Sequence, residues 1–118
     1  MSRHARFRLR LYKDAMVAIG PGKVDLLEAI AQTGSISAAA RAMGMSYRRA
    51  WLLVEELNQA LAQPAVMTAT GGAHGGGARL TGTGEEIIRR YRVIEDAAMQ
   101  AAADDLAVLT GMLKSEDG

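Results

Sequence analysis

The stretch TGSISAAARAMGMSYRRAWLLVEELNQAL, residues 33–61, decides the fold. Ser35 is a good N-cap, and Ile36, Ala39, Ala40 and Met43 then follow at steps of three and four, the spacing of one face of a helix. Gly44 stands where a tight turn needs a residue free to take positive φ, and Ser46 caps a second helix. Along that second helix Ala50, Trp51, Val54, Leu57 and Leu61 form the stripe expected to be buried. Its first turn is Tyr47-Arg48-Arg49, polar and basic. Two short helices with a tight turn, and a basic start to the second, are the layout in which a helix enters the major groove of DNA. An ordinary helical hairpin in an all-helical domain accounts for the same residues, so the flanking sequence has to discriminate.

Downstream, Pro64 stops the second helix and Val66–Thr70 reads as a strand. Gly71 to Ala78 (GGAHGGGA) holds five glycines, and Arg79-Leu80 resumes a short strand. Two short strands with a Gly-rich tip, directly after a recognition helix, are the expected layout of a wing, with His74 and Arg79 placed to meet phosphates or the minor groove. The competing reading, a nucleotide cradle, lacks the GK[ST] ending and the helix at P-loop spacing. A metal site at His74 is not expected, since His4 is the one other histidine and there is no cysteine.

Upstream, FRLRLY (Phe7–Tyr12) alternates apolar and basic residues, the pattern of a half-buried strand with Arg8 and Arg10 outward. Gly20-Pro21-Gly22 breaks the chain. A helix then begins near Lys23, buries Val24, Leu27, Ile30 and Ala31, and ends at Gly34.

Beyond the wing, TGEE pairs Thr83 with Glu86 as a capping box that opens a long helix. Ile87, Tyr91, Ile94, Ala98, Ala101, Leu109 and Leu113 recur along it, interrupted at Asp104-Asp105. About 30 helical residues would extend roughly 45 Å, more than a small domain covers with its own surface. These seven residues are therefore the expected dimer interface. The alternative is a helix that folds back, breaking at Asp104-Asp105.

With 118 residues the chain is one domain with a modest core, and its 49% apolar and 23% charged content is ordinary for a soluble protein. Five aromatics leave Ala, aliphatics and the seven Met to fill that core. Without cysteine there is no disulfide and no thiol chemistry. No apolar run reaches the ~18 residues of a membrane span, and the basic N-terminus is no signal peptide, so no membrane partner is expected and a cytoplasmic location is. The net charge of +1 conceals an asymmetry: residues 1–80 carry ten Lys and Arg against five acids, residues 81–118 four against eight. That split suits one end facing phosphates and the other a protein, although chance clustering in a short chain gives the same numbers.

Together these signals predict a mainly α fold with a small β-wing. Residues 1–81 form a winged helix-turn-helix domain (helix-turn-helix about 35–61, wing about 66–80), residues 82–114 a long dimerisation helix, and 115–118 a disordered tail. The segments QTGSISAAARAMGMSYRRAW and ATGGAHGGGARLTGTGEEII strongly resemble the DNA-binding domain of the molybdate-responsive ModE repressors, and more loosely the N-terminal domain of LysR-type regulators. The resemblance runs from about Phe7 into the long helix. It implies a transcriptional regulator acting as a homodimer on a palindromic double-stranded DNA site, held by the C-terminal helices. It also implies that the recognition helix enters the groove with Ser46, Tyr47, Arg48 and Arg49 while the wing tracks the backbone. ModE proteins continue into small β-barrels that bind molybdate. Nothing between Leu80 and Gly118 reads as those strands, so molybdate sensing by this stretch, and any other cofactor, is not expected.

Within the expected DNA-binding set, Arg48 and Arg49 are placed first, since a guanidinium fork takes a guanine edge or a phosphate with two hydrogen bonds. Ser46 is a phosphate donor or only a cap. Tyr47 packs on a sugar or thymine methyl, or is buried at the helix junction. Trp51 is read as core. Ser35 and Ser37 are candidate phosphate donors, and Arg41 faces outward near the backbone. Two other classes compete with a regulator. A winged-helix protein-interaction module would bind DNA weakly and without specificity. An enzyme is the poorest fit, because no Ser/His/Asp set, carboxylate pair or phosphate loop can be assembled. A regulator lacking its own sensor is constitutive, responds through a separate sensor partner, or takes a small molecule at its dimer interface.

Overall fold

The computed structural model describes residues 5–69 and 77–114. Its order is β1 (Leu11–Lys13), β2 (Met16–Ile19), α1 (Pro21–Thr33), α2 (Ile36–Met43), α3 (Tyr47–Ala60), β3 (Val66–Thr68), β4 (Ala78–Leu80), α4 (Gly82–Ala101) and α5 (Ala103–Gly111). Two antiparallel hairpins, β1–β2 and β3–β4, flank a three-helix core. That core packs Leu26, Leu27 and Ile30 of α1 against Ala39 and Ala40 of α2 and Ala50, Val54 and Leu57 of α3, closed by Ala65, Val66 and Ala78. The architecture is a winged helix-turn-helix followed by C-terminal helices, as its sequence predicts.

The first strand is shorter and later than expected. Phe7–Arg10 is irregular, and pairing starts at Leu11, with Lys13 opposite Met16. Asp14 in the turn takes φ 55°, a left-handed conformation that Asp tolerates better than most residues. The second strand, MVAI, escaped sequence reading because so short an apolar run has no period to declare it. Gly20 is the N-cap of α1 and Pro21 its first residue, where proline's missing N–H costs nothing, so the helix starts two residues before Lys23. Lys23 is buried and donates from Nζ to the Val17 carbonyl at 2.5 Å while pairing with Glu56 at 3.3 Å. One side chain thus ties β2, α1 and α3. On the inner face of α1, Ala31 is exposed and Leu26 and Ala29 are buried instead.

The helix after the wing is capped by Thr81, not Thr83. The Thr81 hydroxyl accepts the Gly84 N–H at 3.1 Å and donates to the Pro64 carbonyl at 2.7 Å, satisfying two groups that Thr83 does not reach. Glu86 turns to Arg89 and Arg90 instead, whose hydrogen bonds hold its carboxyl below the usual range. The helix is also interrupted. Ala102 (φ −101°, ψ 7°) separates α4 from α5, two residues before Asp104-Asp105, whose charges favour a helix start. Arg92 fastens α4 to α1 through Asp25 and Glu28, and also holds Glu95. Hydrogen bonds to Glu28 first, then Glu95, push its pKa up. The molecule is elongated, 59 × 32 × 24 Å, and α5 buries none of its residues. Among the described residues no helix is long and apolar enough to cross a membrane.

Candidate nucleic-acid interface

The turn between α2 and α3 is built from three local devices. Ser35 Oγ accepts the Ala38 N–H at 3.0 Å, and Ser46 Oγ accepts the Arg49 N–H at 3.1 Å. Gly44 closes α2 at φ 69°, its N–H on the Arg41 carbonyl and the Met45 N–H on that of Ala40. Such left-handed closure is where glycine is strongly preferred. Ala39, Ala40 and Ala50 are almost fully buried, and their small side chains let α2 and α3 approach closely. These constraints fix where the first turn of α3 points.

That turn faces solvent. Ser46, Tyr47, Arg48 and Arg49 are all exposed, as are Ser37 and Arg41 on α2 and Arg79 on β4; Ser35 is half-buried. Tyr47 is 56% exposed, so its side chain is not the helix-junction filler. Trp51 corrects the sequence reading: it is 43% exposed. One residue rotates a helix by about 100°, which carries Trp51 off the Ala50–Val54–Leu57 stripe and onto its flank. Leu52, 46% exposed, lies beyond it. Periodicity alone could have separated Trp51 from the stripe, but a tryptophan's size argued for core.

Arg41, Arg48, Arg49 and Arg79 have no ion pair among the described residues. Arg89, Arg90 and Arg92 on α4 all do. The cations of the helix-turn-helix and wing are therefore uncommitted, and those of α4 are engaged within the chain. His74 lies outside the described residues, as does most of the Gly-rich tip. The base of the wing is held by Asn58, which sequence reading missed: its Oδ1 accepts from Ala65 N and Val66 N at 2.8 and 3.2 Å, and its Nδ2 donates to the Val66 carbonyl at 3.0 Å.

The expected interface residues on the C-terminal helices divide. Tyr91 is buried within its own chain, its hydroxyl donating to the Leu9 carbonyl at 2.8 Å, and Ile87 is half-buried against the core. Ile94, Ala101, Leu109 and Leu113 are exposed, and Ala98 is half-buried. Val93, Val108 and Met112, not singled out by sequence, are 55, 59 and 71% exposed.

Comparisons with known proteins agree with this geometry. The family described as bacterial regulatory helix-turn-helix protein, lysR family, matches residues 22–85. The molybdenum-pterin-binding protein MopB of Rhodobacter capsulatus is 53% identical over 77 residues, covering 65% of this chain and 28% of that protein. The DNA-binding transcriptional dual regulator ModE of Escherichia coli K12 is 41% identical over 91 residues, covering 75% of this chain and 35% of that one. The chain thus spans about a third of the length of these curated relatives. A MarR family transcription regulator of known structure superposes with a TM-score of 0.59 at 22% identity, over 74% of this chain and 58% of that one, a likeness of fold alone. On the matched helix-turn-helix and wing, the chain belongs to the bacterial regulatory helix-turn-helix proteins of the lysR family, with a domain of the ModE type.

Proposed function

We propose that this chain is a sequence-specific DNA-binding transcriptional regulator that acts in the cytoplasm as a homodimer on a palindromic site. One observation carries the reading: Arg48 and Arg49 stand exposed and without ion pairs among the described residues, on the first turn of α3, in a regulator-family fold. A helix start presented to the major groove reads base edges through such side chains, while the wing and helix-capping hydroxyls position the duplex. In this reading Arg48 and Arg49 take a guanine edge or phosphates. Ser35, Ser37, Ser46, Arg41, His74 and Arg79 hold the backbone, and Tyr47 packs on a sugar or a thymine methyl. The exposed α4–α5 surface pairs two copies so that two recognition helices reach two half-sites.

The test is fluorescence anisotropy against genomic fragments, including the chain's own upstream region, across a salt series. Preference for a palindromic fragment persisting above ~150 mM salt is the expected result. Arg48→Ala or Arg49→Ala should cost ~1–3 kcal/mol wherever that arginine reads a base, with relaxed sequence preference. Unchanged affinity in both variants would remove the recognition-helix assignment. The exposed Trp51 and Leu52 favour a second reading, a winged-helix protein-interaction module. It predicts weak binding, indifferent to sequence and lost by that salt.

A further inference from the structure

Tyr47, Trp51 and Leu52 have large apolar bodies, and all three stand exposed within the first two turns of α3. At about 100° per residue Leu52 falls roughly 200° from the buried Ala50, on the side of the helix away from the core and one turn on from Arg48. Trp51 lies one turn on from Tyr47, on the flank of Asn58, the residue that holds the base of the wing. Leu52 therefore shares a face with Arg48, and Trp51 lies between that face and the wing. The next turn carries Glu55 and Glu56, the first accepting from Gln59 and the second paired with Lys23. Carboxylates repel phosphates, so the stretch suited to lie against a duplex is residues 46–52. Within it Arg48 and Arg49 have no ion pair among the described residues, and the exposed faces of Trp51 and Leu52 have no cover from their own chain.

We infer that the second turn of α3 reads thymine, Leu52 and Trp51 packing on the 5-methyl groups of thymines beside the guanine or phosphate held by Arg48. The inference rests on the DNA-binding reading above and specifies its base preference. Leucine makes no side-chain hydrogen bond, so the discrimination it carries is one of shape and apolar contact. The apolar group that the four bases present in the major groove is the thymine methyl, which tells T·A from C·G. Phosphates gain nothing from either side chain, and a helix that held only the backbone would have no use for them on its groove-facing side. A protein partner would cover the same patch, but it would have to leave Arg48 and Arg49 unpaired beside it or supply acids to meet them. A duplex offers both in one surface, anions for the arginines and methyl groups for the apolar pair.

The test begins with the full chain selecting from duplexes randomised over about three helical turns, made once with thymine and once with uracil, which lacks only the 5-methyl group. At ~150 mM salt the thymine pool should fix T·A pairs that the uracil pool leaves open. In the selected duplex, replacing those thymines singly by uracil should weaken binding about fourfold each, the value of burying one methyl group. Leu52→Ala or Trp51→Ala should bind thymine and uracil duplexes alike at the position which that side chain covers. Arg48→Ala, weaker on both, should keep the distinction. A general loosening of the helix does not couple one side chain to one methyl group in this way. Far-UV circular dichroism checks that each variant is folded, and the comparison of thymine with uracil on the wild-type chain needs no variant. The same motif from both pools, or a thymine preference intact in both Leu52→Ala and Trp51→Ala, overturns the thymine reading and leaves the DNA-binding regulator standing. No enriched motif in either pool overturns both.

Discussion

Asn58 and Tyr91 show how single side chains hold this fold at points where the backbone has no regular partner. Asn58 occupies the last turn of α3 and satisfies three backbone groups at the start of β3, all of them on Ala65 and Val66, which are nearly inaccessible. Removing it takes this partner from the Ala65 and Val66 N–H groups, so Asn58→Ala should lower stability by about 2 kcal/mol in urea unfolding. Tyr91 is a different case: the ring fills space beneath the N-terminal segment and its hydroxyl reaches Leu9. Tyr91→Phe keeps the ring and should cost about 1 kcal/mol. Burial, with Glu95 adding to it, holds this phenol protonated above its ordinary pKa. A raised acid pKa stabilises the fold fully below the unfolded value, near pH 10, and the contribution is lost as pH rises through the folded value. Unfolding midpoints measured from pH 9 to 11 should therefore fall, and Tyr91→Phe should remove that component of the fall.

The elements differ in how local their causes are, and that difference decided what sequence could show. Ser35, Gly44 and Ser46 fix the helix-turn-helix through bonds to residues within five positions, and each was readable from spacing alone. The cap of α4 was misplaced by two residues because Thr81 is selected by the Pro64 carbonyl, a contact 17 residues away that no local pattern encodes. For the same reason the clamp of Arg92 on Asp25 and Glu28, more than 60 residues distant, was invisible. Gly84 belongs to this class. A Cβ there would stand 2.4 Å from the Ala65 carbonyl oxygen, a backbone atom with no freedom to yield. The first turn of α4 touches the wing base only because this position is glycine. Gly84→Ala should cost about 1–3 kcal/mol in thermal unfolding by forcing α4 away from that base, whereas Gly82→Ala, with open space around it, should cost far less.

At the scale of the molecule, the proposed function gives DNA reading and the pairing of copies to surfaces that do not overlap: the first turn of α3 and the wing on one side, the exposed α4–α5 surface on the other. Val108 on α5 and Met112 just beyond it are 59 and 71% exposed, so changing them takes little contact from the monomer. Val108→Glu combined with Met112→Glu should thus leave the melting temperature of dilute protein within a degree or two of wild type, while wild type alone gains stability as concentration rises. The consequence for DNA is specific. A dimer places both recognition helices on a palindrome at once, and the second contact benefits from the high effective concentration set by the first. Losing the pair removes that gain without touching Arg48 or Arg49. Anisotropy on two duplexes separates the effects: affinity for the palindrome should fall at least tenfold, and affinity for an isolated half-site should stay as it was. Equal losses on both duplexes would mean that α5 supports the recognition surface itself, and the division of labour between the two ends of this chain would have to be abandoned.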